Sequence, residues 1–287
     1  MHPWRWIRDK LRRVGQRRRD AATRRQENRI LRKRVEEAVS ATEPRIRLAR
    51  GYHLRLMPAV KHALAHCERM TGDIPGPFDI RPDLWGRDPL VTAYFATMDE
   101  VRGALGSSPE LRTHFSRNPA LEAHAMLTMK TEEKRVFRTA ASGQLLQRDV
   151  PRTSVNFFRH RFTSVYGTVS EVRQDLRHRA FYFLLSCALE ELVALEKQEA
   201  RLEHHHEVLQ VQWRLQQSRE RDLGALLNGY ENRRASEAGR KILDEVHQEL
   251  DSVRSRIDEP SDFLNHLERV LMAPEQYLHL VPAAPRL

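Results

Sequence analysis

A long amphipathic pattern dominates the second half of the chain, over residues 168–228. Apolar residues recur there at alternating steps of three and four once Glu199 and His206 fill two gaps, and no proline interrupts the span. This spacing predicts one long helix whose apolar stripe pairs with another helix, as in a coiled coil. A helix of that length extends about 90 Å at 1.5 Å per residue. Its apolar positions are Phe181, Leu185, Ala188, Leu192, Leu195, Leu202, Leu209 and Trp213.

A second heptad pattern follows Asn228-Gly229, a dipeptide that ends helices well. Because the connection is short, the two helices are predicted to form an antiparallel hairpin. We call their contact positions the seam: Leu192, Leu195, Leu202, Leu209, Trp213, Ile242, Val246 and Val253. The part of the seam from Leu192 to Leu202 lies beyond the reach of the second helix. It is covered either by helical residues within 30–71 or by a dimer contact.

Strict alternation of apolar and polar residues marks one β-like region. Residues 121–130 alternate with the period of a half-buried strand, with Leu121, Ala123, Ala125, Leu127 and Met129 on one face. A polar turn is expected at 131–134, a second strand at 135–147, a break at Pro151, and a third strand at 153–162. The pattern therefore predicts a small three-stranded antiparallel meander.

The fold class predicted from these patterns is α+β and predominantly helical. A long antiparallel helical hairpin, similar to a coiled coil, carries the meander packed at its base. The predicted segments are an Arg-rich arm (1–34), a helical region (35–118) with a Pro/Gly-rich connector (73–87), the meander (119–166), the hairpin (167–258), and a C-terminal helix and tail (259–287).

Positive charge is concentrated at the start of the chain. Residues 1–34 hold fourteen basic and three acidic residues, a net charge of +11, whereas the whole chain is +10. The remaining residues therefore sum to −1. The basic character belongs to one arm, and the rest of the chain is close to neutral.

The arm begins with an amphipathic helical pattern. The predicted apolar stripe consists of Trp4, Ile7, Leu11 and Val14, with Trp6 at its edge, and the flanking cations include Arg8, Arg12, Arg13, Arg17, Arg18 and Arg19. Such a helix is typical of an interfacial membrane anchor. Because indole favours the headgroup boundary, we expect an anionic membrane surface to be the partner of residues 1–34.

Two other partners remain open for the arm. Its arginines are also suited to the phosphates of a nucleic acid. Alternatively, the arm pairs with an acidic face of the long helix, in this chain or in a second copy, as a structural oligomer would require. That face is formed by Glu190, Glu191, Glu196, Glu199 and Glu203.

Catalytic chemistry and cofactors are not expected. The chain contains no phosphate-binding glycine loop, dinucleotide fingerprint, nucleophile elbow or zinc-protease motif. Glu203 and His206 have the Glu-x-x-His spacing of di-iron bundles, and His62 and His66 lie four apart, but further ligands are missing from either pattern. We expect neither a metal nor a small-molecule substrate.

The sequence thus favours a non-enzymatic adaptor or scaffold with protein partners on its long helix. Its two cysteines, Cys67 and Cys187, lie in apolar helical settings, which fits a reducing cytoplasm, although one disulfide between them remains open. The longest apolar run has about half the length of a membrane-spanning helix, and no secretory signal is recognised. We therefore expect a cytoplasmic protein, peripheral to a membrane.

Overall fold

The computed structural model describes residues 25–119, 122–142, 145–223 and 229–280, with the side chains of 134–154 and 219–236 left out of the description. These residues are mostly helical, with one two-stranded antiparallel sheet among them. They form two compact units. The helical unit contains residues up to His66 together with Phe181–Leu278, and the ribbon unit contains Cys67–Ala180 with residues 279–280.

Helix α6 confirms the predicted long helix. It runs over Val169–Leu223 without a break, a span of 55 residues. Thr168 caps its start, because its hydroxyl accepts a hydrogen bond from the backbone N–H of Glu171 at 3.3 Å and donates one to the Glu171 carboxylate at 2.8 Å. The start therefore follows from the local sequence Thr-x-x-Glu.

The helical unit surrounds α6 with shorter elements. Helix α1 covers residues 25–41, a 3₁₀ turn follows at Pro44–Leu48, and α2 begins at Tyr52 and ends at Gly72. After α6 come α7 (Gly229–Arg254), α8 (Pro260–Met272) and a 3₁₀ turn at Pro274–Gln276.

The core of the helical unit is closed and strongly apolar. Side chains from several helices are fully excluded from solvent there, as the steps of three and four in each helix require. The largest of them are Phe181, Phe263, Ile46, Leu56, Leu184, Leu185, Leu264, Leu267, Leu271, Val35 and Val39.

The predicted meander is wrong in its number of strands. The described residues form only two strands, β1 (His124–Ser142) and β2 (Leu145–Tyr166), paired antiparallel along their length. Residues 131–134 belong to β1 because they contain no Gly, Pro, Asn or Asp to supply turn geometry. Pro151 does not interrupt β2, where it lies opposite Phe137, because an edge strand tolerates a residue without an N–H.

Three short helices complete the ribbon unit, each with the cap that its sequence predicts. They are α3 (Pro89–Tyr94), α4 (Met98–Ser107) and α5 (Pro109–Arg117), capped by Asp88, Thr97 and Ser108 respectively. Val91, Phe95 and Val101 form a small buried cluster, and Leu127 of β1 packs against it.

None of the described helices is long and apolar enough to cross a membrane.

Candidate functional site

The ribbon unit contains a half-open groove with a volume of about 360 Å³. Its walls are β1, the first turns of α6 and the Pro/Gly-rich connector that follows α2. A volume of this size lies at the lower end of the range for small-molecule sites, roughly 300–1,000 Å³. The groove is therefore large enough to hold a ligand.

Small residues on β1 explain why the groove is open. His124 and Met126 line it together with the four residues that the alternation puts on one face, Ala123, Ala125, Leu127 and Met129. Two of these four residues are alanines, whose methyl groups leave space that leucine or valine would fill. A β-bulge between His124 and Met126 shifts the register here as well.

The facing wall is also apolar. Val169, Val172 and Leu176 of α6 line the groove at steps of three and four, so they lie on one face of the helix. On the connector side, Phe78 meets Tyr94 edge to face, with ring centroids 6.5 Å apart. The groove therefore presents hydrocarbon and aromatic surface along its length.

Arg173 is the charged side chain in this lining, and no carboxylate lines the groove within the described residues. The Arg173 guanidinium is exposed and takes part in no ion pair in the described part of the chain. The hydroxyl of Thr71 is already committed, because it donates to the carbonyl of Cys67 at 2.8 Å. The groove thus combines an apolar floor with one available cation.

Next to the groove, His160 serves a structural role. Its Nε2 lies 2.7 Å from the carbonyl oxygen of Tyr94 and its Nδ1 lies 3.3 Å from a carboxylate oxygen of Glu100. The ring also stacks on Phe95, with centroids 4.2 Å apart. These contacts fasten β2 to the small helices, and they place no nucleophile beside the imidazole.

In the helical unit, most of the acidic face of α6 is already paired. Glu191 accepts from Arg269 at 2.6 Å, and Glu196 accepts from Arg45 at 2.7 Å. Glu199 accepts from Arg254 at 3.1 Å, and Glu203 accepts from the same guanidinium. Of the five carboxylates that were candidates to receive the arm, only Glu190 has no such arginine partner among the described residues.

The surroundings of Glu191 and His266 lower the pKa of both groups, for different reasons. Burial acts to raise the pKa of Glu191, but the hydrogen bonds from Arg269 and Tyr277 outweigh it and leave that pKa below its ordinary value. The pKa of His266 is also lowered, first by burial and then by the charge of Arg269, although its Nε2 lies 3.2 Å from Glu191. The cluster therefore combines an ionised carboxylate with a neutral histidine at neutral pH.

The contacts between α6 and α7 show the relative direction of the two helices. Arg254 meets Glu199, the rings of His206 and His247 stack at 5.4 Å, and Gly239 faces Trp213. Among the described side chains of α7, the least exposed are Gly239, Leu243, Val246, Leu250 and Val253, which again alternate steps of four and three, and Ile257 continues this spacing just after the helix. These contacts define an antiparallel pair.

The residues of the predicted seam differ in how far they are buried. Leu192, Leu195, Val246 and Val253 are buried, and Leu202, Leu209 and Trp213 are half-buried. Ile242 is 46% exposed, and its neighbour Leu243 takes the position on α7 that the heptad pattern gave to Ile242. Residues 191–196 contact the 3₁₀ turn at Pro44–Leu48 through Arg45 and contact α8 through Arg269.

Neither Glu203 with His206 nor His62 with His66 belongs to a set of metal ligands in the described part of the chain. The carboxylate of Glu203 is held by Arg254, and His206 stacks on His247. On α2, His66 Nε2 lies 2.8 Å from the carbonyl oxygen of Leu278, and His62 approaches Glu275. Within the described residues, no group of three or more His, Cys, Asp or Glu side chains is arranged to hold a metal ion. Cys67 and Cys187 are free thiols.

The arm itself lies mainly outside the described residues. All of its candidate docking residues, from Trp4 to Arg19, fall in residues 1–24, and only residues 25–34 are described, as the first part of α1. The cations there include Arg29, Arg32 and Lys33, which are exposed. Membrane docking by the arm therefore stays a prediction.

Sequence reasoning missed two features of these sites. It singled out the acidic residues of α6 but not the arginines that pair with them, which come from segments up to 151 residues away in sequence. It also did not single out Arg173 beside the groove. Comparisons of the chain with models of known protein families, with curated proteins and with solved structures found no match.

Proposed function

We propose that this protein is a non-enzymatic adaptor. Its Arg-rich N-terminal segment docks on an anionic membrane surface, at the cytoplasmic side, and its helical body binds protein partners. The observation that carries this proposal is the pairing of Glu191, Glu196, Glu199 and Glu203 with arginines of the helical unit. Docking of the arm on that face would have to break these pairs.

Charge balance supports a partner outside the chain. Residues 1–34 carry a net charge of +11, and the rest of the chain sums to −1. Since four carboxylates of the acidic face of α6 already hold arginines, the arm would have to compete with these arginines there, which favours a separate anionic surface. Lys and Arg residues near an anionic leaflet contribute about 1 kcal/mol each.

The apolar stripe of the arm favours a membrane over other anionic surfaces. Trp4, Ile7 and Leu11 follow helical spacing, and a binder of nucleic-acid phosphates has no need for such a stripe. An interfacial helix needs both components, because burial of the apolar face and attraction of the cations add together.

The outer face of α6 is the surface proposed for protein partners. Val208, Val211 and Leu215 follow steps of three and four, and all three are exposed, Leu215 by 59%. They lie on a different face from the half-buried seam positions Leu209 and Trp213. A helix that buries one apolar stripe and leaves a second one in solvent is suited to helix-mediated association.

Flotation with liposomes tests the membrane proposal. The full chain is compared with a triple Ser variant of the stripe (W4S, I7S, L11S) and a triple Gln variant of the cations (R8Q, R12Q, R13Q). A matched control replaces three exposed cations of the helical unit outside the arm (R201Q, R214Q, R240Q). We expect the full chain and this control to float with anionic but not neutral vesicles, and the other two variants to remain at the bottom.

The outcomes separate the partner classes. If the full chain does not float with anionic vesicles, the membrane proposal is refuted. If the Ser variant floats as well as the full chain, charge alone is responsible. A steep salt dependence of binding to duplex nucleic acid, unaffected by the Ser variant, would then identify nucleic acid as the partner.

A further inference from the structure

We infer that the groove of the ribbon unit is a binding site for the single hydrocarbon chain of an anionic amphiphile, such as a fatty acid. This site is separate from the arm, so it goes beyond the proposed membrane docking. Both its walls are formed by side chains of the ribbon unit, from Thr71 to Leu176.

The shape of the groove suits a linear chain. Its lining follows β1 from Ala123 to Met129, which is about 20 Å of extended backbone at 3.3 Å per residue. The opposite wall follows two turns of α6, from Val169 to Leu176. An elongated trough of this kind accepts an extended alkyl chain more readily than a compact, rounded ligand.

The volume sets the length of the chain. A cavity of roughly 150 Å³ holds one benzene molecule, which has six carbon atoms. By the same ratio, the 360 Å³ of the groove corresponds to roughly fourteen carbon atoms. The flexible side chains of Met126 and Met129 allow the walls to adapt to an irregular alkyl chain.

Charge selects the head group. Arg173 supplies a guanidinium at the groove with no carboxylate in the described lining to compensate it. The neighbouring arginines of α6 differ in this respect, because Arg177 pairs with Glu68 at 2.8 Å and Arg179 pairs with Asp175 at 2.7 Å. Arg173 is thus available to a carboxylate or phosphate head group, while the alkyl chain lies on the apolar floor.

Calorimetric titration of the full chain with saturated fatty acids of eight to sixteen carbons, below their micellar concentrations, tests this site. We expect the affinity to increase up to about four-fold per added methylene, as hydrocarbon leaves water, and to level off near fourteen carbons. An affinity that does not depend on chain length would overturn the inference.

Substitutions locate the binding. Ala125→Phe fills the groove, and we expect it to abolish laurate binding, whereas Ala200→Phe, on an exposed position of α6 outside the lining, leaves binding unchanged. Circular dichroism confirms that both variants are folded. Equal laurate binding by the two variants would overturn the inference.

Arg173→Gln tests the head group. We expect it to weaken laurate binding by up to about five-fold, because an exposed ion pair is weak, and to leave binding of the uncharged dodecanol unchanged. Arg201→Gln, which removes an exposed cation of α6 outside the lining, is the control. Equal loss for both ligands would contradict the assigned role of Arg173.

Two deletions distinguish the groove from the two ends of the chain. Removal of residues 1–24 leaves laurate binding intact if the groove is the site, even if flotation is lost. Loss of laurate binding in that deletion would assign the binding to the arm and overturn the inference. If laurate binds only after removal of residues 281–287, the tail of the chain is the occupant of the groove, which would also overturn it.

Discussion

The two units of this protein differ in how far their apolar side chains are buried and in how their charged side chains are paired. In the helical unit, large side chains such as Phe263 and Leu267 are fully buried, and four carboxylates of α6 each accept a hydrogen bond from an arginine. In the ribbon unit, Val91, Phe95 and Val101 form a small buried cluster, and a groove of about 360 Å³ is open to solvent.

This difference indicates where stability and binding reside. A closed core with paired charges stabilises a fold but offers little to a ligand. An open apolar groove buries less apolar surface and so contributes less to stability, but its apolar walls and available cation are accessible to the proposed ligand. In the helical unit, by contrast, the surface proposed for partners is on the outside of α6, at Val208, Val211 and Leu215.

The largest expected effect comes from the closed core. Phe263 is 1% exposed and lies under the guanidinium of Arg45, at 4.3 Å from the ring centroid. We expect Phe263→Ala to lower the free energy of unfolding by about 3–5 kcal/mol, through lost burial and the remaining cavity. Urea denaturation followed by circular dichroism measures it. Leu54→Ala, at a position that is 74% exposed, is the control and should change it by less than about 0.5 kcal/mol.

Acid is expected to weaken the helical unit through His266. The folded-state pKa of this buried histidine lies below its ordinary value of 6.5, so the unfolded chain binds the proton first as the pH falls. Its contribution to stability is therefore complete above pH 6.5 and is lost as the pH falls through the lowered pKa. We expect urea denaturation at pH 7.5 and 5.5 to show a smaller loss for His266→Gln than for the parent chain. Equal losses would show that His266 is not the source.

A pair of glycines gives the smallest effect and compares the packing of the two units directly. Gly103 in α4 has open space around the position of a Cβ, whereas a Cβ on Gly239 in α7 would lie 3.2 Å from the ring of Trp213. We expect Gly103→Ala to stabilise the protein by about 0.5–1 kcal/mol, because alanine favours a helix. Gly239→Ala should give no such gain, since the Trp213 ring must move. Equal gains in urea denaturation would show that the α6–α7 contact is looser than described.

The sequence predicted the elements that repeat a local signal many times. The pattern predicts α6 from Thr168 and the helix begins at Val169, because a long run of apolar positions and the Thr168 cap specify it. On β1, alternation predicts only part of the groove lining, since His124 and Met126 line it as well as Ala125, Leu127 and Met129. The second and third strands were misread, because a polar stretch at 131–134 and Pro151 look like breaks, although neither one breaks a strand at the edge of a ribbon.

Contacts between segments that are far apart in the sequence could not be predicted from these local patterns. Ile242 was assigned to the seam because it is apolar at a plausible step, but the α7 face that meets α6 contains Gly239, which has no side chain to mark it. The partners of the acidic residues on α6 depend on how α8 and the 3₁₀ turn pack, and no local pattern encodes that. The groove exists because two alanines leave space, and its volume depends on the facing wall as much as on β1.

The proposed function requires that the arm does not bind to the acidic residues of the helical unit. The most direct test is the melting temperature of the full chain and of a chain lacking residues 1–24, measured by calorimetry at low salt. We predict equal melting temperatures, because Glu191, Glu196, Glu199 and Glu203 keep their arginines when the arm is removed. A drop of several degrees in the shortened chain, abolished by high salt, would show that the arm is bound to the body and would contradict the proposal.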